Sequence, residues 1–136
     1  MGAWGASAFD NDEACDWASD LVGMKDLSLV DAAFKVVEEA SGKGLEAHDA
    51  TNALAACEVL ARLRGHPGYN NPYTEGVDAW VAAHRIDPPR AMLLRAEAVI
   101  SQVLGERSEL RELWGEDGDG AEWREAVEYL RRRLLA

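Results

Sequence analysis

The chain has 136 residues, and its 25 acidic against 14 basic side chains give a formal net charge of −11. Apolar residues make up 48% of it, a globular composition, and its length is that of one domain with its own hydrophobic core. A net charge this negative disfavours contact with nucleic acid or with an anionic membrane surface. We therefore expect a single domain over residues 1–136 that binds neither.

The dominant hydrophobic period is helical, with apolar residues three and four positions apart through most of the chain. Convincing strand patterns are absent, because Val and Ile are sparse and do not alternate with polar residues. The pattern predicts an all-α domain of six or seven helices, joined by short loops at 41–44, 65–72 and 115–120. The predicted helices are Asp12–Val22, Ser28–Ala40, Asp49–Arg64, Thr74–His84, Pro88–Leu104, Ser108–Trp114 and a C-terminal helix from about Glu122 to Leu134.

Polar residues at the helix starts indicate caps. Asp10 or Asn11 is predicted to cap the first helix. Ser28, with Asp31 three residues later, resembles a capping box at the start of the second helix. Asp119 and Glu122 are predicted to cap the last helix.

Cysteine usage and the N-terminus indicate the compartment. Cys15 and Cys57 lie in apolar helical patterns, which predicts free buried thiols rather than a disulfide. The first residues have neither the basic region nor the apolar segment of a signal peptide. No window approaches the ~18 apolar residues of a membrane span. We expect a cytoplasmic protein.

Charge is distributed unequally along the chain. Residues 1–60 hold 12 acidic residues and three lysines, whereas residues 61–136 hold 13 acidic residues and 11 arginines. One interpretation is that Arg and Glu form pairs on the solvent faces of the later helices. The other is an acidic surface on the first half that attracts a basic partner.

The N-terminal segment is the least ordinary part of the sequence. In a structural interpretation its aromatic residues pack on the core and its polar residues cap a helix. In a functional one, Asp10, Asp12 and Asp16 offer hard oxygen ligands for magnesium or calcium, with Asp12 and Asp16 on one helix face. Candidate binding residues in the same segment are Trp4, Phe9, Asn11 and Trp17.

Motifs for nucleophilic catalysis, dinucleotide binding and phosphate binding are absent from the sequence, so no catalytic or cofactor-binding residue is predicted. The histidines His48, His66 and His84 are widely spaced, and we expect them at the surface or at caps rather than as ligands. No particular cofactor is indicated, and enzymatic activity stays an open question.

Two segments of the sequence carry a family resemblance. The first comprises Met1–Gly5, Phe9–Asp12 and Asp16–Trp17; the second comprises Ser108–Trp114, Trp123 and Leu130–Leu134. Together they resemble the DUF4259 family, a family of small bacterial proteins. The two segments lie at opposite ends of the chain, which suggests that the whole chain is one copy. The resemblance implies a compact bacterial domain, and it implies no activity and no catalytic residues.

Three hypotheses follow. The leading one is a non-enzymatic, acidic, helical interaction protein, such as an immunity-like or inhibitory partner of a basic protein. The second is a metal-binding domain or metal-dependent enzyme that uses Asp10, Asp12 and Asp16. The third is a small-ligand pocket lined by Trp4, Trp17, Tyr73 and Trp80. The partner and the oligomeric state are not determined by the sequence.

Overall fold

A computed structural model describes residues 5–116, 118 and 120–136, and in that part of the chain it contains seven helices and no strand. An isolated bridge joins Leu45 to Ser108. The all-α prediction is therefore confirmed. The helices are α1 Asp12–Val22, α2 Ser28–Glu39, α3 Ala47–Leu63, α4 Glu75–His84, α5 Arg90–Val103, α6 Glu109–Gly115 and α7 Ala121–Leu135.

Helix α3 forms the centre of the bundle. Every residue from Ala53 to Arg62 is buried, and α3 contacts each of the other six helices. A helix that is apolar on all sides needs neighbours on all sides, and the alanines of α3 allow those neighbours to approach closely. No helix among the described residues has the length and hydropathy needed to cross a bilayer.

The N-terminal segment is held against the core. Phe9 is only 2% exposed and packs in the same hydrophobic cluster as Trp17 and Trp123. Asn11 caps α1, since its side-chain oxygen accepts a hydrogen bond from the Ala14 amide at 2.8 Å. The predicted anchoring by Phe9 and cap by Asn11 are confirmed, while Trp4 lies outside the described residues.

Two predicted caps are wrong. Helix α2 begins at Ser28 itself, and the side chain that accepts from the Ser28 amide, at 3.0 Å, is that of Asp26. Helix α7 begins after Gly120, which has a left-handed backbone (φ 68°) and no side-chain cap bond, so Glu122 does not cap it. Asp119 lies outside the described residues.

Helices α3 and α7 lie side by side and run in the same direction. At their ends, Arg64 Nη1 donates to the carbonyl of Leu134 at 2.5 Å, and His66 Nδ1 lies 2.9 Å from the carbonyl of Arg133. These donors bond to carbonyls that the last turn of α7 leaves without helical partners. At their starts, α6 leads into α7 and also bonds to α3, where Glu109 Oε1 accepts from the Ala47 amide at 2.7 Å.

Candidate functional site

A cleft of about 880 Å³ lies between the N-terminal segment, α3 and α7. Its volume is in the range of ligand-binding pockets. The chain from 69 to 74 and helix α6 complete its walls. Much of its lining is apolar or aromatic and buried or partly buried, and comprises Phe9, Leu54, Leu110, Leu113, Trp114, Trp123, Val127 and Leu130.

The N-terminal side of the cleft carries Asp10, Asp12, Glu13 and Asp16, which we call the acidic edge. Asp12, Glu13 and Asp16 are exposed, and no cation among the described residues forms an ion pair with any of the four. Asp10 has a structural task as well, because its Oδ2 accepts from the Ser7 amide at 3.2 Å. A Cβ on Gly5 would lie 2.4 Å from that same oxygen, so the turn is closely packed around the Asp10 carboxylate.

On the α7 side of the cleft, the charge of the side chains changes from negative to positive along the helix. Glu122 and Glu125 line the cleft near the start of α7, and Arg132 and Arg133 line it near the end. At the rise of an α-helix, Glu122 and Arg132 are separated by about 15 Å along the axis. Within the described residues, neither Glu122 nor Glu125 has an ion-pair partner.

Beneath the basic end of the cleft lies a largely buried charge cluster of Glu58, Arg62 and Arg133, and Arg62 also pairs with the partly exposed Asp78. Arg133 donates to both carboxylate oxygens of Glu58, at 2.8 and 2.7 Å. Arg62 donates through Nε to Glu58 at 3.0 Å and through Nη1 to Asp78 at 2.5 Å. The Glu58 and Arg62 side chains are only 6% and 3% exposed, and each is matched by opposite charge, as burial requires.

Two further contacts fix the Arg133 guanidinium. Its central carbon lies 4.5 Å from the ring centroid of Tyr129, a cation–π distance. A Cβ on Gly68 would lie 2.8 Å from that same carbon, so only glycine fits there without displacing the guanidinium. Arg133 is therefore a rigid part of the cleft wall.

The interpretation that Arg and Glu pair on the solvent faces of the later helices is wrong for this cluster. It does describe Arg131, which pairs with Glu128 on α7 at 3.4 Å, whereas Arg95 on α5 bonds Asp31 and Glu38 of the earlier helix α2. The available signal was the position of Glu58 and Arg62, four residues apart in a helix that is apolar on every side. Charges in such a helix are buried and must be paired within the fold.

The structure distributes the predicted binding residues between the cleft and the core. Phe9 and Asn11 line the cleft. Trp17 does not line it and is buried, as is Trp80, whose indole donates to the Met24 carbonyl at 2.9 Å. The cleft is also lined by Tyr69, which belongs to the aromatic, turn-rich segment 69–73 that the sequence offers as a groove lining, and by Trp114 and Tyr129, which the sequence did not mark as binding residues.

The three aspartates of the metal hypothesis lie on the acidic edge of the cleft, and their charges act on the Cys15 thiol. The pKa of Cys15 is raised first by burial and then by the negative charges of Asp12, Asp16 and Asp10. Metal binding at these aspartates stays a prediction. Within the described residues, three potential ligands that lie within 4.8 Å of one another occur elsewhere, at the exposed Glu46, His48 and Asp49.

Comparison with known proteins gives one match. A family model described as "Domain of unknown function (DUF4259)" matches residues 2–126. No curated protein and no solved structure matches the chain.

Proposed function

This chain belongs to the DUF4259 family, and we propose that it is a non-enzymatic interaction module whose cleft binds a basic segment of a partner protein. One observation carries the proposal. A cleft with both polar and apolar side chains in its lining is bordered on two sides by carboxylates that no cation in the described part of the chain neutralises: Asp10, Asp12, Glu13, Asp16, Glu122 and Glu125.

The chemistry of the cleft suits lysine and arginine side chains. Their aliphatic stems cover apolar surface while their charged ends stay in a polar environment. Here the stems would lie on Leu54 and Trp114, and the charged ends would reach the acidic edge or Glu122. The net charge of −11 also raises the rate at which a basic partner is encountered.

Occupancy of the cleft gives a route to an immunity-like or inhibitory role. A basic segment held between α3 and α7 is unavailable for its own contacts with anionic targets. The partner is thereby blocked by binding alone, which requires no catalytic residue.

The proposal is tested by fluorescence anisotropy with a labelled peptide that alternates lysine or arginine with apolar residues. We expect binding that weakens as salt is raised. Replacing three charges of the acidic edge, in Asp12→Asn/Glu13→Gln/Asp16→Asn, is expected to weaken binding by about tenfold.

A matched control removes the same charge elsewhere. Asp20, Glu39 and Glu106 are exposed and do not line the cleft. The variant Asp20→Asn/Glu39→Gln/Glu106→Gln is expected to bind nearly as well as the wild type. Equal weakening in both triple variants would show that net charge, not the cleft, attracts the peptide, and would overturn the proposal.

A metal site at Asp10, Asp12 and Asp16 is the alternative, favoured by the position of all three in the cleft lining, where no cation in the described part of the chain forms an ion pair with them. A ligand that binds only the folded state raises its stability by roughly 2.7 kcal/mol at one hundred times Kd. Thermal unfolding with EDTA, magnesium, calcium, manganese and zinc tests it. A stabilisation by one of these ions that Asp12→Ala abolishes supports the alternative, and a flat series rejects it.

A further inference from the structure

Arg132 differs from the other arginines of the cleft. Arg62 and Arg133 are held by the buried carboxylate of Glu58. Arg132 is exposed, lines the cleft, and has no carboxylate partner among the described residues. Its guanidinium carbon lies 5.9 Å from the ring centroid of Tyr129, and this contact leaves its hydrogen-bond donors free for an anion.

A second unused donor lies beside it. The Nε of Arg133 is buried and has no hydrogen-bond partner in the described structure, although the two terminal nitrogens of Arg133 are bonded to Glu58. Buried donors in folded proteins are nearly always satisfied. The basic end of the cleft therefore presents the unneutralised guanidinium of Arg132, beside an Arg133 side chain whose buried Nε lacks an acceptor within the described structure.

We infer that Arg132 binds the C-terminal carboxylate of the basic segment, so that the segment lies in one direction along the cleft. The inference rests on the proposed function. A guanidinium is the side chain best suited to bind a carboxylate through two parallel hydrogen bonds. A segment rich in basic residues has few acidic side chains, so its own terminus is the carboxylate that it supplies.

The geometry of α7 sets the distance between the two charged groups of the bound segment, its basic side chain and its C-terminal carboxylate. Glu125 and Glu122 lie about 10 and 15 Å before Arg132 along the helix axis. An extended chain advances about 3.3 Å per residue, which places the basic residue about three to five positions before the C-terminus. Direction and spacing together define the class of peptide that the cleft selects.

The test compares three forms of one fluorescein-labelled peptide whose last lysine is four residues from the end. The forms have a free C-terminal acid, a C-terminal amide, and a C-terminal amide preceded by an added aspartate. We expect the free acid to bind about tenfold more tightly than either amide, the size of one charge-assisted hydrogen-bonded contact.

Two variants test whether Arg132 causes the difference in affinity between the free-acid and the amide peptide. In Arg132→Gln the free acid and the amide are expected to bind equally. Arg124→Gln is the matched control, because Arg124 lies on the same helix and does not line the cleft. It should keep the full preference for the free acid.

The outcomes separate the inference from the function on which it rests. If acid and amide bind the wild type equally well, the carboxylate site is wrong and the basic-segment function stands. If the aspartate amide matches the free acid, the assignment to the chain terminus is wrong. If none of the three peptides binds, both the inference and the proposed function fail.

Discussion

Glu58 in the middle of α3 and Arg133 near the end of α7 form a two-point ion pair across 75 residues of sequence, with nitrogen–oxygen distances of 2.8 and 2.7 Å. Arg62, one turn further along α3, donates to the same carboxylate at 3.0 Å. One buried negative charge thus joins the two helices whose facing sides form the cleft. The ion pair fixes the position of the cleft wall.

Removing that charge is expected to destabilise the fold strongly. In Glu58→Gln, two largely buried guanidiniums lose their shared carboxylate, and breaking such a pair costs about 3–5 kcal/mol. Urea unfolding followed by tryptophan fluorescence measures the loss. Glu39→Gln, an exposed carboxylate on α2, should change stability by no more than about 0.5 kcal/mol. A loss below about 1 kcal/mol in Glu58→Gln would contradict the structural role of the pair.

The residue after α4 is under backbone strain. Arg85 has φ 27° and ψ 46°, a left-handed conformation that side chains disfavour by about 1–2 kcal/mol. We expect Arg85→Gly to raise the thermal unfolding temperature. Gly65→Ala is the reverse case, since Gly65 has φ +81° with open space around it, and it should lower that temperature. Destabilisation by Arg85→Gly would show that the strain is offset by contacts of the Arg85 side chain.

Arg95 makes the stability contributed by the contact between α2 and α5 depend on pH. Hydrogen bonds from Arg95 lower the pKa of both Asp31 and Glu38. A carboxyl with a depressed folded-state pKa contributes stability above its unfolded pKa near 4, and the contribution is lost as pH falls through the folded pKa.

The variant Arg95→Met keeps an apolar side chain and removes the guanidinium, which donates three hydrogen bonds to Asp31 and Glu38 and lies 5.7 Å from the ring centroid of Phe34. We expect it to be less stable than the wild type by up to about 1 kcal/mol near pH 6, because the carboxylates are partly exposed. The difference should shrink as pH falls towards 2, because protonation of Asp31 and Glu38 removes the charges that Arg95 pairs with. Denaturant unfolding at the two pH values measures it, and a constant difference would mean that packing rather than charge is lost.

The reactivity of the Cys15 thiol depends on the charges of the nearby aspartates. Burial raises its pKa, and Asp12, Asp16 and Asp10 raise it further. Asp12→Asn/Asp16→Asn should lower that pKa, so that iodoacetamide at about pH 8 modifies Cys15 faster, because the thiolate is the reactive form. Asp20→Asn on the same helix should leave the rate unchanged. An equal rate in the double variant and the wild type would show that the charges of Asp12 and Asp16 do not raise the pKa of Cys15.

Much of the fold follows from hydrophobic period. Helix α1 spans Asp12–Val22 both in the prediction and in the structure, because its apolar face and its Asn11 cap are local features. The cap of α2 was misassigned, because Ser and Asp residues lie close together there. A sequence pattern does not determine which of them begins the helix, and here Asp26 bonds to Ser28.

The cleft could be predicted only in part. Asn11 and Asp16 stood out because they lie in one unusual segment. Glu122 and Arg132 were assigned to helix ends, since each fits the charge preference of a helix terminus. Their position opposite the N-terminal segment depends on how α3 and α7 pack. Because this packing brings together residues far apart in the sequence, no local sequence pattern predicts it.

The most direct test of the central claim is amide chemical-shift mapping with the basic free-acid peptide. The account predicts shifts confined to the cleft lining: residues 5–16, α3 around Thr51 and Leu54, the 69–74 segment, α6 from Leu110 to Trp114, and α7 from Glu122 to Arg133. At a peptide concentration near the wild-type Kd they should be several-fold smaller in Asp12→Asn/Glu13→Gln/Asp16→Asn, as the expected tenfold weakening requires. Shifts centred instead on the opposite surface, around Asp31 and Glu38 on α2, would contradict the claim that the cleft is the binding site.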